Sequence, residues 1–274
     1  MKIHHLNCAT LCPVGRSLLG QGGGVTERGR MVAHCLLIEG NGGLTLVDTG
    51  FGTADVHDAR RRLGGPFVRL VAPSLREEDT ALRQVEALGF HARDVRDIVV
   101  THLDLDHAGG LPDFPEARVH VHGPELDAAL ARKTFREKER YRTVHWAHGP
   151  RWERHTPGGD RWKGFESVRA LAGEPEVRII PLVGHSRGHS GVAVRDGERW
   201  LLHAGDAYFF HGEMDVSSPR CPPGLALFQS FVEVDRSARL ANQERLRELK
   251  RAHGDVAVFS AHDVIEFDSH AARP

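Results

Sequence analysis

The chain has 274 residues, 40% of them hydrophobic, enough to bury a full core; a single domain over residues 1–274 is the default expectation. Its 36 basic and 37 acidic residues nearly cancel, which excludes a global attraction to nucleic acid or to an anionic membrane and leaves only local ones. Cys8, Cys12, Cys35 and Cys221 contain no CxxC pair, and no apolar run approaches the ~20 residues of a membrane span. A disulfide scaffold and a zinc ribbon are therefore set aside, and an unprocessed, soluble, cytoplasmic chain is expected.

In chain order, IHHLN reads as a strand, and MVAHCLLIEG and LTLVDTG read as a hairpin around GNGG that ends at Asp48. Ser74 and Glu77 are spaced as a capping box for a helix reaching Gly89, with Leu82, Val85 and Leu88 on one face. RDIVVTH is a strand that feeds THLDLDHAGG, and ARVHVHG is another, followed by a helical, charged stretch from about Pro124 to Arg142. Beyond a Gly/Pro-rich region, EVRIIPLVGH, GVAVRD and RWLLHAGD are strands; Asp235 caps a helix to about Arg251, and DVAVFSAHD closes the series. Two strand-rich halves, each finished by helix, suggest two packed sheets with helices outside.

THLDLDHAGG, residues 101–110, concentrates ligand-type side chains. In an extended chain His102 and Asp104 face one way while Leu103 and Leu105 face the core, and Asp106 and His107 follow as the chain turns. Histidine with carboxylate suits zinc, iron, manganese or cobalt, whereas carboxylate alone suits calcium or magnesium. Three further strand ends carry the same chemistry: His185 and His189 in PLVGHSRGHSG, Asp206 in LLHAGDAYF, and His262 in VFSAHD.

Taken in order, VDTG, HLDLDH, GHSRGH, GDAY and AHD resemble the five motifs of the metallo-β-lactamase superfamily, Asp, HxHxDH, His, Asp and His, and more narrowly its lactonase and glyoxalase II-like members. The resemblance covers nearly the whole chain. It implies an α+β fold, an αββα four-layer sandwich, with a dinuclear metal site at one edge of the two sheets. By position it implies that His102, Asp104 and His185 hold the first metal and Asp106, His107 and His262 the second, with Asp206 bridging both. Asp48, His189 and Asp263 would orient those ligands from behind. The chain departs from the family pattern at Asp104, where the second histidine of HxHxDH stands. Three carboxylates against two divalent ions leave a formal +1 where a histidine would leave +2. Iron or manganese therefore enters beside zinc, which remains the first expectation.

The implied activity is a dinuclear metal-dependent hydrolase acting on a carboxylic ester or lactone through a metal-bridging hydroxide. Asp106 would orient the nucleophile while it ligates. Tyr208 would either donate to the oxyanion or serve as a packing aromatic in AYFF. A glyoxalase II-like thioester hydrolase shares the whole site; a diiron oxidoreductase, prompted by Asp104, and a nuclease rank lower. Residues 132 to 163 hold ten Lys or Arg against four Asp or Glu, with three of the four tryptophans. The helix Arg132 to Arg142 reads as solvated. HWAHGPRWERH, carrying His145, Trp146, His148 and Trp152, reads as a pocket wall within an insert at about 124–165. Such a wall favours a small-molecule substrate with an acidic or aromatic part. The oligomeric state stays open.

Overall fold

The computed structural model describes residues 2–40, 42–156, 158–172 and 174–272. Its strands are β1 (Lys2–Leu11), β2 (Met31–Gly40), β3 (Gly43–Val47), β4 (Val95–Val99), β5 (Arg118–His122), β6 (Arg151–His155), β7 (Asp160–Trp162), β8 (Phe165–Leu171), β9 (Glu174–Pro181), β10 (Ser190–Asp196), β11 (Arg199–His203) and β12 (Val256–Phe259). Its α-helices are α1 (Thr53–His57), α2 (Gly65–Val71), α3 (Ala81–Ala87), α4 (Leu105–Ala108), α5 (Gly123–Ala131), α6 (Phe135–Arg140), α7 (Pro223–Val232), α8 (Arg236–Ala252) and α9 (Val264–Ala271).

Strands β1 to β6 form one sheet in sequence order, and the second runs β12-β11-β10-β9-β8-β7. Pairing is antiparallel through β1, β2 and β3 and parallel from β3 to β6. In the second sheet only β11 and β12 pair in parallel, and the crossover between them carries α7 and α8.

Side-chain alternation sets the layers. On β2, Leu36 and Ile38 point to the opposite face from Cys35 and Leu37. Leu36, Ile38, Val47 and Val99 meet Val177, Ile179, Val192, Val194, Leu201 and Phe259 in a core between the sheets. On the outer face of the first sheet, Leu37, Leu46, Ile98 and Val119 pack with Val85 of α3 and Leu126 of α5. On the outer face of the second, Ile180, Ala193, Leu202 and Val258 pack under Leu246 and Leu249 of α8. The architecture is the expected αββα sandwich.

Several boundaries differ from the sequence reading for local reasons. Helix α3 begins after Thr80, whose hydroxyl accepts the Arg83 amide, and not at Ser74; it buries Ala81 and Val85 and leaves Leu88 39% exposed. The stretch expected as one helix breaks at Arg132 (φ 40°), and α6 restarts with a Thr134–Glu137 capping box. Asp235 caps α8 as expected, accepting the Ala238 amide at 2.9 Å. The region read as loop and pocket wall supplies β6, whose Trp152 lies opposite Val119. Asn41, in the expected GNGG turn, lies outside the described residues, but β2 and β3 pair on either side with Gly40 opposite Gly43. Among the described residues no helix is long and apolar enough to cross a membrane.

Candidate metal centre

Strands β3, β4, β11 and β12 each end in a segment bearing a carboxylate or imidazole, and the turn from β9 to β10 adds His185 and His189. These segments converge. His102, Asp104 and His185 each offer a ligand atom within 4.8 Å of the others, as do Asp106, His107 and His262, and as do His102, His107 and Asp206. Asp206 sits at the centre: its carboxylate oxygens lie 3.2 Å from Nε2 of His262, 3.4 Å from that of His107, 3.5 Å from that of His185 and 3.8 Å from that of His102. The Nε2 atoms of His107 and His262 are 3.3 Å apart. The alternation holds for Leu103, buried in the first sheet's outer core, but not for Leu105, which opens α4 and joins a different apolar cluster with Phe209.

Partners behind these side chains fix which ring nitrogen faces inward. Asp48 accepts the Thr101 amide and hydroxyl, each at 2.7 Å, and the His107 Nδ1–H at 2.8 Å. Because the Thr101 hydroxyl donates to Asp48, it accepts from His102 Nδ1–H at 3.0 Å, which leaves His102 Nε2 without a proton. His262 Nδ1–H donates to the Val32 carbonyl at 2.7 Å. His189 is fully committed: its Nδ1–H donates to the Leu182 carbonyl at 3.0 Å and its Nε2 accepts the Asp206 amide at 2.8 Å. It therefore holds the Asp206 backbone and has no lone pair for an ion. Gly205 (φ 54°) makes this approach feasible, since a Cβ there would stand 2.6 Å from His189 Nε2. Asp48 itself adopts φ 56°, a left-handed conformation costing roughly 1–2 kcal/mol for a residue with a Cβ, offset by its three hydrogen bonds.

The donor set fits divalent metal. His102 Nε2 and Asp206 Oδ1 are buried without a hydrogen-bond partner, an arrangement that costs stability unless a cation satisfies it. Burial alone would lower the pKa of His107, but Asp206, Asp48 and Asp106 around it push it up to about 10. A proton on His107 would thus be displaced on metal uptake. Burial would raise the Asp104 carboxyl, yet the Arg140 guanidinium and His102 hold it well below the usual carboxylate range.

Two residues not singled out from the sequence tie this edge together. Arg140, the last residue of α6, places Nε 2.8 Å from Asp104 Oδ1 and 3.1 Å from Oδ2. The helix expected to be solvated therefore reaches into the site; the local excess of base was the only signal. Glu125, fully buried at the start of α5, accepts the Leu103 amide at 3.0 Å, the Gly188 amide at 2.9 Å and the Ser186 hydroxyl at 2.6 Å. One carboxylate so joins the two ligand loops, although in sequence it reads as an ordinary acid in a first helical turn.

Other expectations are corrected. The Tyr208 hydroxyl lies 3.0 and 3.1 Å from the Glu266 carboxyl oxygens and its ring is buried in the second sheet's outer core, so it does not serve the site. Its neighbour Phe209 faces the ligands instead, stacking on His262 with ring centroids 5.0 Å apart and lying 5.9 Å from His185. Asp263 accepts the His211 amide and Nδ1–H and caps α9 through the Glu266 amide, and so orients His211 instead of a ligand. Trp146 is buried and Trp152 half-buried in the core under the first sheet's outer helices, because that apolar space outcompetes solvent for indole. His145 is buried against Asp55 at 3.0 Å, and His148 is exposed. These four do not form a wall beside the candidate ligands. What lies beside them is a buried apolar cluster: Phe209 and Leu105 pack with Phe51, Leu63 and Leu225, flanked by the partly buried Phe67 and Phe228.

Two facing mixed sheets with histidine and aspartate clustered on the loops at one edge define a class of metal-dependent hydrolases. The chain belongs to the metallo-β-lactamase superfamily, whose family model matches residues 28–262. It is 41% identical over 265 residues to a Mycobacterium tuberculosis protein described as a probable metallo-hydrolase, covering 96% of this chain and 80% of that one. It is 27% identical over 265 residues to the N-acyl homoserine lactonase AttM of Rhizobium radiobacter, covering 96% and 93%. Among solved structures, an N-acyl homoserine lactone hydrolase with its product N-hexanoyl-L-homoserine superposes with a TM-score of 0.73 at 21% identity, covering 98% of this chain and 95% of that one. The dizinc lactonase AidC superposes with a TM-score of 0.62 at 16% identity, covering 96% and 90%.

Proposed function

We propose that the chain hydrolyses lactones or carboxylic esters bearing an apolar acyl part, with two divalent metal ions held by His102, Asp104, His185, Asp106, His107, His262 and a shared Asp206. The observation that carries this reading is the convergence of four imidazoles, from both sheets, within 3.2–3.8 Å of the one Asp206 carboxylate. Bound ions would supply Lewis acidity and a water that ionises near neutral pH. Zinc is the first choice for such nitrogen and carboxylate donors, as in the dizinc lactonase that shares the fold. Ligands drawn from both sheets support reading the chain as one functional unit.

The chain's own residues have distinct parts in this reading. Asp48 with Thr101, and the Val32 carbonyl, keep His107, His102 and His262 in the tautomers that present bare Nε2 atoms. His189 fixes the backbone of Asp206. Asp106, with 14% of its side chain exposed, uses one carboxylate oxygen to orient the attacking water. Phe209 and Leu105 provide an apolar wall that takes an acyl chain and excludes water, which replaces the acidic or aromatic substrate part first expected. The activity of the N-acyl homoserine lactonases among the relatives supports the same substrate class.

The test is metal analysis of protein purified without added metal, followed by a panel of acylated lactones, simple esters and S-acyl glutathione before and after chelation. Up to two transition-metal ions per chain are expected, with lactone or ester turnover that chelation abolishes and metal restores. No transition metal, and none taken up on reconstitution, would overturn the reading; turnover of the thioester alone would move it to the glyoxalase II-like alternative.

A further inference from the structure

Asp104 occupies the cap position of α4, yet its carboxylate caps no backbone amide there. It is shared instead between two kinds of partner. Arg140 Nε lies 2.8 Å from Oδ1 and donates to Oδ2 at 3.1 Å, and Oδ2 also lies 3.1 Å from His185 Nε2 and 3.4 Å from His102 Nε2. The guanidinium is held independently of that pair: Nη1 donates to the His185 carbonyl at 3.0 Å and Nη2 to the Val232 carbonyl, the last residue of α7, at 2.7 Å. Nη2 also lies 3.1 Å from His185 Nε2. With its side chain only 13% exposed, Arg140 is thus a fixed positive charge against the first ligand set.

We propose that Asp104 and Arg140 form one charge-matched unit in place of a neutral histidine at the first ligand set, so that a change at either position is tolerated only together with a change at the other. The inference rests on the dinuclear reading above. Counting the ligand carboxylates alone, two divalent ions less three carboxylates leave +1. Adding the guanidinium restores the +2 that a histidine at position 104 would leave. The charge argument for admitting iron or manganese beside zinc then falls away. Arg140 is a positioning residue here: it anchors the Asp104 carboxylate, whose Oδ2 it shares with His102 and His185.

The pair makes a prediction opposite to that of the motif alone. Asp104→His restores HxHxDH but leaves the buried guanidinium facing an imidazole and an incoming cation, with no carboxylate to balance it. Apo-protein titrated with cobalt(II), followed by calorimetry and visible absorbance, reads the number and tightness of bound ions without recourse to activity. Wild type is expected to bind two ions. Asp104→His is expected to bind one of them at least about tenfold more weakly, and Asp104→His/Arg140→Gln to recover two tight ions. The proposal is overturned if Asp104→His alone binds both ions as tightly as wild type, or if the double variant binds no better than the single one. Should Asp104→His fail to fold, the double variant decides: two tight ions support the pair, and fewer refute it. A wild-type protein that takes up no cobalt sinks the dinuclear reading along with the pair, whereas two ions in every variant sink the pair alone.

Discussion

At the scale of single residues, the two aromatics after Asp206 exchange their expected parts. Tyr208 spends its hydroxyl on Glu266 while Phe209, which has none, faces the histidines. In AYFF each ring suits a buried position, so nothing local distinguishes them; the choice is made by Glu266, 58 positions away. Burial and the neighbouring Asp263 push the Glu266 carboxyl up to about 8. The folded chain therefore keeps a proton there that the unfolded chain releases around the ordinary carboxyl value of 4.5. That contribution is fully present below pH 4.5, and it is lost as pH rises toward 8. Glu266→Gln, which cannot titrate, should flatten this part of the stability profile. Urea denaturation of both proteins between about pH 6 and 8.5 checks it; parallel profiles would show that Glu266 carries no such linkage. The seven candidate ligands and Asp48 were legible through the order of their motifs, which resembles the metallo-β-lactamase pattern; any one of these strand-end residues alone would have been a weak signal. Thr101 was not among them, although it stands beside His102, because its part depends on the Asp48 carboxylate reaching it from another strand.

At the scale of elements, the stretch from 124 to 165 gave the sequence reading its largest error. Its bases and tryptophans suggested a wall open to substrate. The structure divides the stretch among α5, α6, the edge strand β6 and β7, turns Trp146 into the first sheet's outer core, and brings Arg140 onto Asp104 and Glu125 onto the loops that carry the candidate ligands. Composition could not separate these outcomes, since an amphipathic aromatic satisfies either a pocket or a core and only the vacant space under the sheet decides. Trp146→Ala should therefore act on stability and not on substrate choice. Loss of the buried indole is expected to cost about 3–5 kcal/mol, while the ratio of kcat/KM between short-chain and long-chain lactones stays that of the wild type. A changed ratio at unchanged stability would return Trp146 to the pocket. By contrast, the helix ending near Arg251 and the strands around each motif were readable in advance, because period, cap and apolar run agree there.

At the scale of the whole molecule, the ligand set is divided between the two sheets. His102 to His107 follow β4 of the first, while His185, Asp206 and His262 belong to loops of the second. An ion bound by this set would tie one sheet to the other across the inter-sheet core. Metal should then slow amide exchange at the strand ends facing each other across that core, Val99 and Phe259, more than at Val121 of the outer cluster. Hydrogen exchange of loaded and chelated protein measures this directly, and equal protection at all three would show that the ions do not join the halves. The same division orders events during synthesis. His102, Asp104 and His185 have all left the ribosome well before His262, which stands 155 positions after His107, its neighbour across the site. A nascent chain can therefore bring its first ligand trio out while the second still lacks a member, and a second ion would find its ligand set complete only once β12 had emerged and added itself in parallel to β11.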